Sequence, residues 1–233
     1  MKFTKSFTII TVVLIFTLLV GCATPDTSSD IASNDSKSSS LVEMPDIVSL
    51  DKKMANYFDI SLFDEENYAN IYLGRNFDII ASYNQKELTV PTTLEALNKI
   101  GFNIAKGSEY NANSYIYAKE TITLKFDDET TSITAQFYNS SNSSKRLNNC
   151  KISKIRIENT ENTPEFNVNG INNNSTVIDV IDTLGTPSHF YAVTDDNYYF
   201  DYFISKNDRR NKIRVFVDLI NDCVTAVEFS NYK

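Results

Sequence analysis

Tryptophan is absent, histidine occurs once, and the 233 residues include only 6 glycines, 5 prolines and 3 cysteines. Each shortage excludes a kind of chemistry. No Gly-x-Gly occurs, so neither a dinucleotide fingerprint nor a phosphate-cradling loop is available. Zinc sites need several Cys or His at close spacing, and His189, Cys150 and Cys223 lie far apart in the chain. The acid runs Asp127-Asp128-Glu129 and Asp195-Asp196-Asn197 lack the alternating acids, central Gly and terminal Glu of a calcium-binding EF-hand loop. Turn chemistry accounts for both. A catalytic imidazole needs a nucleophile on one side and an orienting acid on the other. Ser188 adjoins His189, but neighbours on a strand point to opposite faces, so His189 is expected as a loop residue after a helix. No cofactor, metal or catalytic residue is expected, and the chain is not read as an enzyme.

Basic residues are also in short supply, 22 against 30 acids, for a formal charge of −8. An acidic chain lacks the footprint that nucleic acid requires. It also lacks electrostatic adhesion to anionic lipid.

What is present begins at the N-terminus. Lys2 and Lys5 precede an apolar run, Phe7 to Val20, which ends in Leu19-Val20-Gly21-Cys22. The run is shorter than the ~20 apolar residues that span a bilayer, and threonines interrupt it. A charged region, an apolar region and a small-residue stop form a signal-peptide pattern. Leu-Val-Gly-Cys resembles the lipobox of bacterial lipoprotein signal peptides. That resemblance implies cleavage before Cys22, a diacylglyceryl group on its thiol, and attachment to the extracytoplasmic face of the cell membrane. Two acyl chains anchor stably where one does not. Residues 1–21 are thus expected as signal, and 22–45 as a disordered Ser-rich tether that cannot bury a core. Loss of the two signal lysines takes the charge to about −10.

Tyr (13) and Phe (15) are plentiful, and such residues favour strands. Thr92–Gly101 aligns without gaps on Thr176–Gly185, with apolar residues matched at Leu94/Ile178, Ala96/Val180, Leu97/Ile181 and Ile100/Leu184. Each segment opens with Thr and an acid three residues on, a capping-box pattern, and closes with Gly, the usual stop. Strand-like runs follow each: Ser114–Ala118, Thr121–Phe126, Ser132–Tyr138 and Lys151–Glu158, then Asn197–Ile204, Lys212–Leu219 and Val224–Ser230. Ile213, Val215 and Val217 alternate with Lys212, Arg214 and Asp218, the period of half-buried antiparallel strands. Phe216 breaks the pattern. Earlier, Asp51–Phe58 reads as a short helix and Phe77–Ser82 as a strand.

The expected fold is therefore α+β: two similar units, each a short helix packed on an antiparallel sheet of three to four strands. Residues 46–160 form the first, with an N-terminal extension, and 165–233 the second. Asn159–Asn169, with Pro164, is the expected boundary between them. Gly170-Ile171, the helix from Thr176, Leu184-Gly185-Thr186-Pro187 and the aromatic strands after it resemble the β-lactamase-inhibitor-like superfamily, which includes small SmpA/OmlA-type assembly lipoproteins. From Val90 to Cys150 the chain resembles companion domains in lipoproteins of Gram-positive anaerobes. The resemblance spans roughly Phe77 to the end. It implies tandem repeats that bind other proteins, and it lends no catalytic residue and no inhibitor motif.

Cys150 and Cys223 occupy similar turns. An extracytoplasmic location permits a bridge, but a bond needs Cα atoms within ~7 Å, and two unpaired, partly buried thiols are expected. The aromatic strand Tyr198–Phe203 should set Tyr198, Phe200 and Tyr202 on the core. Tyr199, Asp201 and Phe203 would then lie on the other face as a candidate binding surface, unless the remainder of the fold covers them. The leading expectation is a non-catalytic protein-binding or scaffolding module held to the membrane through Cys22, with a protein partner and no nucleic acid. The alternatives are an envelope accessory lipoprotein that captures a small ligand, or a hydrolase with an unrecognised carboxylate pair.

Overall fold

The computed structural model describes residues 52–63, 78–127, 132–205 and 207–232. The expected signal, Cys22, the tether, and Asp128 and Glu129 lie outside them. After a 3-10 turn at Ile60–Phe63, the elements in chain order are β1 (Ala81–Tyr83), β2 (Lys86–Leu88), α1 (Leu94–Lys99), β3 (Asn103–Ile104), β4 (Tyr115–Ile116), β5 (Thr121–Asp127), β6 (Ser132–Tyr138), β7 (Lys145–Arg146) and β8 (Lys151–Glu158). There follow β9 (Phe166–Val168), β10 (Ile171–Asn172), α2 (Val177–Leu184), β11 (His189–Ala192), β12 (Asn197–Phe203), β13 (Lys212–Asp218) and β14 (Cys223–Ser230).

These elements correct the expected fold class. The protein is predominantly β, with fourteen strands among the described residues, and is not two units of helix on sheet. A single eight-stranded sheet runs β11-β12-β13-β14-β8-β6-β5-β3. Among the described residues α1 and α2 are only six and eight residues long, and the other helical turns are shorter still. Glu43–Lys233 is one compact unit. The physical reason lies at the seam. β8 and β14 each end a meander, and an unpaired strand edge is a row of unsatisfied N–H and C=O groups. The two edges pair with each other, Arg156 opposite Glu228 and Ile157 opposite Val227. β9 follows Pro164 and pairs with β1, Ser82 opposite Asn167, in a second sheet of order β10-β9-β1-β2.

Alternation decides which face is buried. Ile155, Ile157, Val227, Phe229, Ile213, Val215 and Phe200 are fully buried. They join Tyr83, Phe166 and Val168 of the smaller sheet, and Val177 and Val180 of α2, in one apolar cluster. Burial of each such side chain contributes about 1.5–3 kcal/mol. The two meanders of the large sheet share a register. Gln136 pairs with Lys154 and Phe137 with Ile152, so Ser153 bulges out. Phe216 pairs with Ala226 and Val217 with Val224, so Thr225 bulges at the corresponding place.

The helix caps follow local chemistry. The Thr176 hydroxyl accepts from Asp179 N–H, and the Asp179 carboxylate accepts from Thr176 N–H, which closes the expected box. In α1 the cap is Thr93, not Thr92, and it accepts from Ala96 N–H at 3.2 Å. Thr92 is taken by the sheet, where it exchanges two backbone hydrogen bonds with Ile152, both 2.9 Å. Gly101 closes α1 at φ +102°, a backbone region that disfavours a side chain.

Candidate functional site

The side of β12 turned away from the core carries the candidate surface. Tyr198, Phe200 and Tyr202 are buried in the apolar cluster, and Tyr199 and Phe203 on the opposite side are half-buried. Asp201 departs from the expected exposure and is buried. Two cations of β13 cover it. Arg214 donates through Nε to Asp201 Oδ1 at 2.6 Å and through Nη2 to Oδ2 at 2.9 Å, and Lys212 Nζ donates to Oδ2 at 2.8 Å. The three side chains are 4%, 22% and 16% exposed respectively, so the cations roof the carboxylate and keep their outer sides accessible.

Register assembles the rest from four more strands. Opposite residues in antiparallel strands share a face, and one row across the sheet runs His189, Asp201, Arg214, Glu228, Arg156. The row beside it runs Tyr191, Tyr199, Phe216. The two rows interleave. Arg214 lies over the Tyr199 ring at 3.7 Å and Arg156 over the Phe216 ring at 4.0 Å, while Lys212 Nζ is 5.6 Å from the Phe203 ring centre. The Tyr191 and Tyr199 rings stack at 5.5 Å. Cation–π pairs of this quality occur about once per 70–80 residues, and here three sit on one face of adjoining strands. Further along, Lys154 reaches Glu228 at 3.1 Å, and Arg156 forks Glu158 through Nε at 2.6 Å.

The matching register supplies an internal comparison. Positions of Tyr199, Asp201, Arg214 and Phe216 in β12 and β13 correspond to Thr123, Lys125, Thr134 and Gln136 in β5 and β6. The same sheet geometry, bulge included, is thus built elsewhere with small or aliphatic-stemmed polar residues. The aromatic and guanidinium groups exceed what that geometry requires.

Electrostatics follow the packing. Burial opposes charge on Arg214, but hydrogen bonding and attraction from Asp201 outweigh it and raise the guanidinium further above its ordinary value. Burial raises the Tyr199 phenol. His189 is on β11 rather than in the expected loop, across from Asp201. Burial lowers its pKa below 6.5, Asp201 pulls the other way, and Lys212, Arg214 and Arg209 lower it further. The Ser188 hydroxyl accepts from Phe203 N–H at 3.3 Å and braces the β11–β12 pair.

Other sequence candidates are accounted for by structural contacts. Cys150 and Cys223 are both free thiols, Cys150 the more deeply buried. Lys53 donates to the Asp196 carboxylate at 2.7 Å. No group of three or more His, Cys, Asp or Glu that could hold a metal occurs among the described residues. A recess of about 440 Å³ beside Cys223 is lined by Asn159, Thr163 and Asn173 among others. Asn159 Nδ2 already donates to the Asn173 and Val224 carbonyls.

Sequence reasoning reached Tyr199, Asp201 and Phe203 from strand periodicity, and missed His189, Tyr191, Lys212, Arg214, Phe216 and Arg156 as their neighbours. Phe216, the break in an otherwise regular alternation, was the available signal. No protein-family model, curated protein or solved structure matches the chain.

Proposed function

We propose that this protein is a non-catalytic, protein-binding lipoprotein, held on the extracytoplasmic face of the cell membrane by a lipid on Cys22. Its contact surface is the aromatic and cationic face of β12, β13 and β8, around Tyr199, Asp201 and Phe203. The observation that carries the reading is the pair of arginines stacked on Tyr199 and Phe216, at positions where the matching strands use Thr and Gln. Tyr and Arg dominate binding hot spots because they combine large rigid area with donors. The lipobox and the polar tether support the anchor. The recess beside Cys223 supports small-ligand capture less well, since the Asn159 and Asn173 amides are committed to backbone carbonyls.

The test is recovery of partners from envelope extract with a soluble form beginning at residue 46, compared with a Tyr199→Ala/Phe216→Ala variant that melts normally. A protein held by the parent and lost by the variant supports the reading. Equal recovery, or stabilisation by a sugar or peptide with no protein enriched, rejects it. The anchor is tested by palmitate labelling, which Cys22→Ser should abolish.

A further inference from the structure

We infer that the partner presents a clustered-carboxylate protein segment, and that one of its carboxylates seats on the Lys212–Arg214 pair between the rings of Tyr199 and Phe203. This rests on the binding reading above and adds the chemistry of what is bound.

Elsewhere on this face Lys154 pairs with Glu228 and Arg156 with Glu158, one cation to one carboxylate. At Asp201 two cations share one carboxylate. The site therefore carries a surplus positive charge on a chain whose formal charge is −8. Asp201 also pre-organises it. The buried fork holds the guanidinium over the Tyr199 ring, so little side-chain freedom is lost when an anion arrives. A guanidinium has five donors, and the fork to Asp201 uses only two of its nitrogens. Arg214 can accept a second carboxylate from the outer side, and Lys212 has three donors of which one is committed to Asp201.

The flanking rings decide between anions of different size. Tyr199 and Phe203 rise on either side of the pair, along one strand and two residues on each side of Asp201. Aromatic walls suit a peptide, whose aliphatic stems pack on the rings while its carboxylates reach the cations. A bare polyphosphate offers no such surface.

The experiment uses the full chain in non-ionic detergent with immobilised poly-L-glutamate as the probe. Binding should be saturable and should weaken as NaCl rises from about 50 to about 300 mM, because exposed charges are screened. Lys212→Gln, which leaves the Asp201–Arg214 fork in place, should weaken binding about tenfold, and Lys212→Arg should restore it. Lys106→Gln, an exposed lysine on a turn away from the face, removes the same charge and should change binding less than twofold. Absence of binding by the folded parent, or equal losses in Lys212→Gln and Lys106→Gln, overturns the acidic-partner inference. Loss of captured protein in the Tyr199/Phe216 variant would in that case keep the binding reading standing. Tight binding of inorganic polyphosphate that poly-L-glutamate cannot displace also overturns it, and points to an anionic polymer.

Discussion

Replacing Asp201 with Asn removes the carboxylate that Lys212 and Arg214 share and keeps its shape. The amide can accept at one atom only, and its NH2 meets donors at the other. Removing one partner of a buried ion pair costs about 3–5 kcal/mol, because the remaining charge is left desolvated. The cations here are 16% and 22% exposed, so they recover part of their hydration by swinging outward. The expected loss is therefore about 2–4 kcal/mol. In a fold of roughly 190 residues each kcal/mol lowers Tm by about 2–4 °C, so a loss of 3 kcal/mol predicts a fall of about 6–12 °C. Urea unfolding followed by circular dichroism gives the free energy, and a melt gives Tm. An Arg214→Met and Asp201→Asn cycle isolates the pair, and neighbours of this kind couple by about 0.5–3 kcal/mol. A Asp201→Asn protein within 0.5 kcal/mol of the parent would refute the argument that Asp201 organises this face.

Three further outcomes are expected. His189 is the single histidine, and burial holds its folded pKa below 6.5. The unfolded chain therefore takes up the proton first, and the His189 contribution is intact above pH 6.5 and is lost as pH falls through the lowered value. Urea midpoints at pH 7.5 and 5.5 should fall more for the parent than for His189→Gln, and equal slopes would contradict the burial of the ring. Thr176→Ala should cost about 1 kcal/mol by opening the α2 box, measured by the same unfolding curves, with no change in the strand signal. Ile155→Ala at the β8–β14 seam should cost about 2–5 kcal/mol, whereas Ile178→Ala, on the exposed side of α2, should stay within about 0.5 kcal/mol.

Much of the local structure was legible in the chain. Six long strands, the two helices and the face assignment of Tyr198 to Phe203 follow from period-two and period-3.6 patterns, which a single segment carries. The Thr176 box is legible for the same reason, since its two partners are three residues apart. Thr93 was not singled out because either of two adjacent threonines can cap, and the choice depended on Ile152 claiming Thr92. Of the short strands, β1 was reached only in part, through the expected strand Phe77–Ser82, and β2, β9 and β10 are too short to show a period; β1 and β9 meet across more than eighty residues of chain, and β2 and β10 fold back on them as hairpins.

The chain by itself determined which side of each long strand is apolar and where α2 starts, because both are written in one short segment. Tertiary structure alone decided that two meanders meet edge to edge in one sheet, because edge pairing is a contest between strand edges distant in sequence and leaves no local mark. It alone also brought Lys212 and Arg214 onto Asp201, and Arg156 onto Phe216. Those contacts depend on register between strands, and register is settled by the packing of the whole core rather than by any one segment.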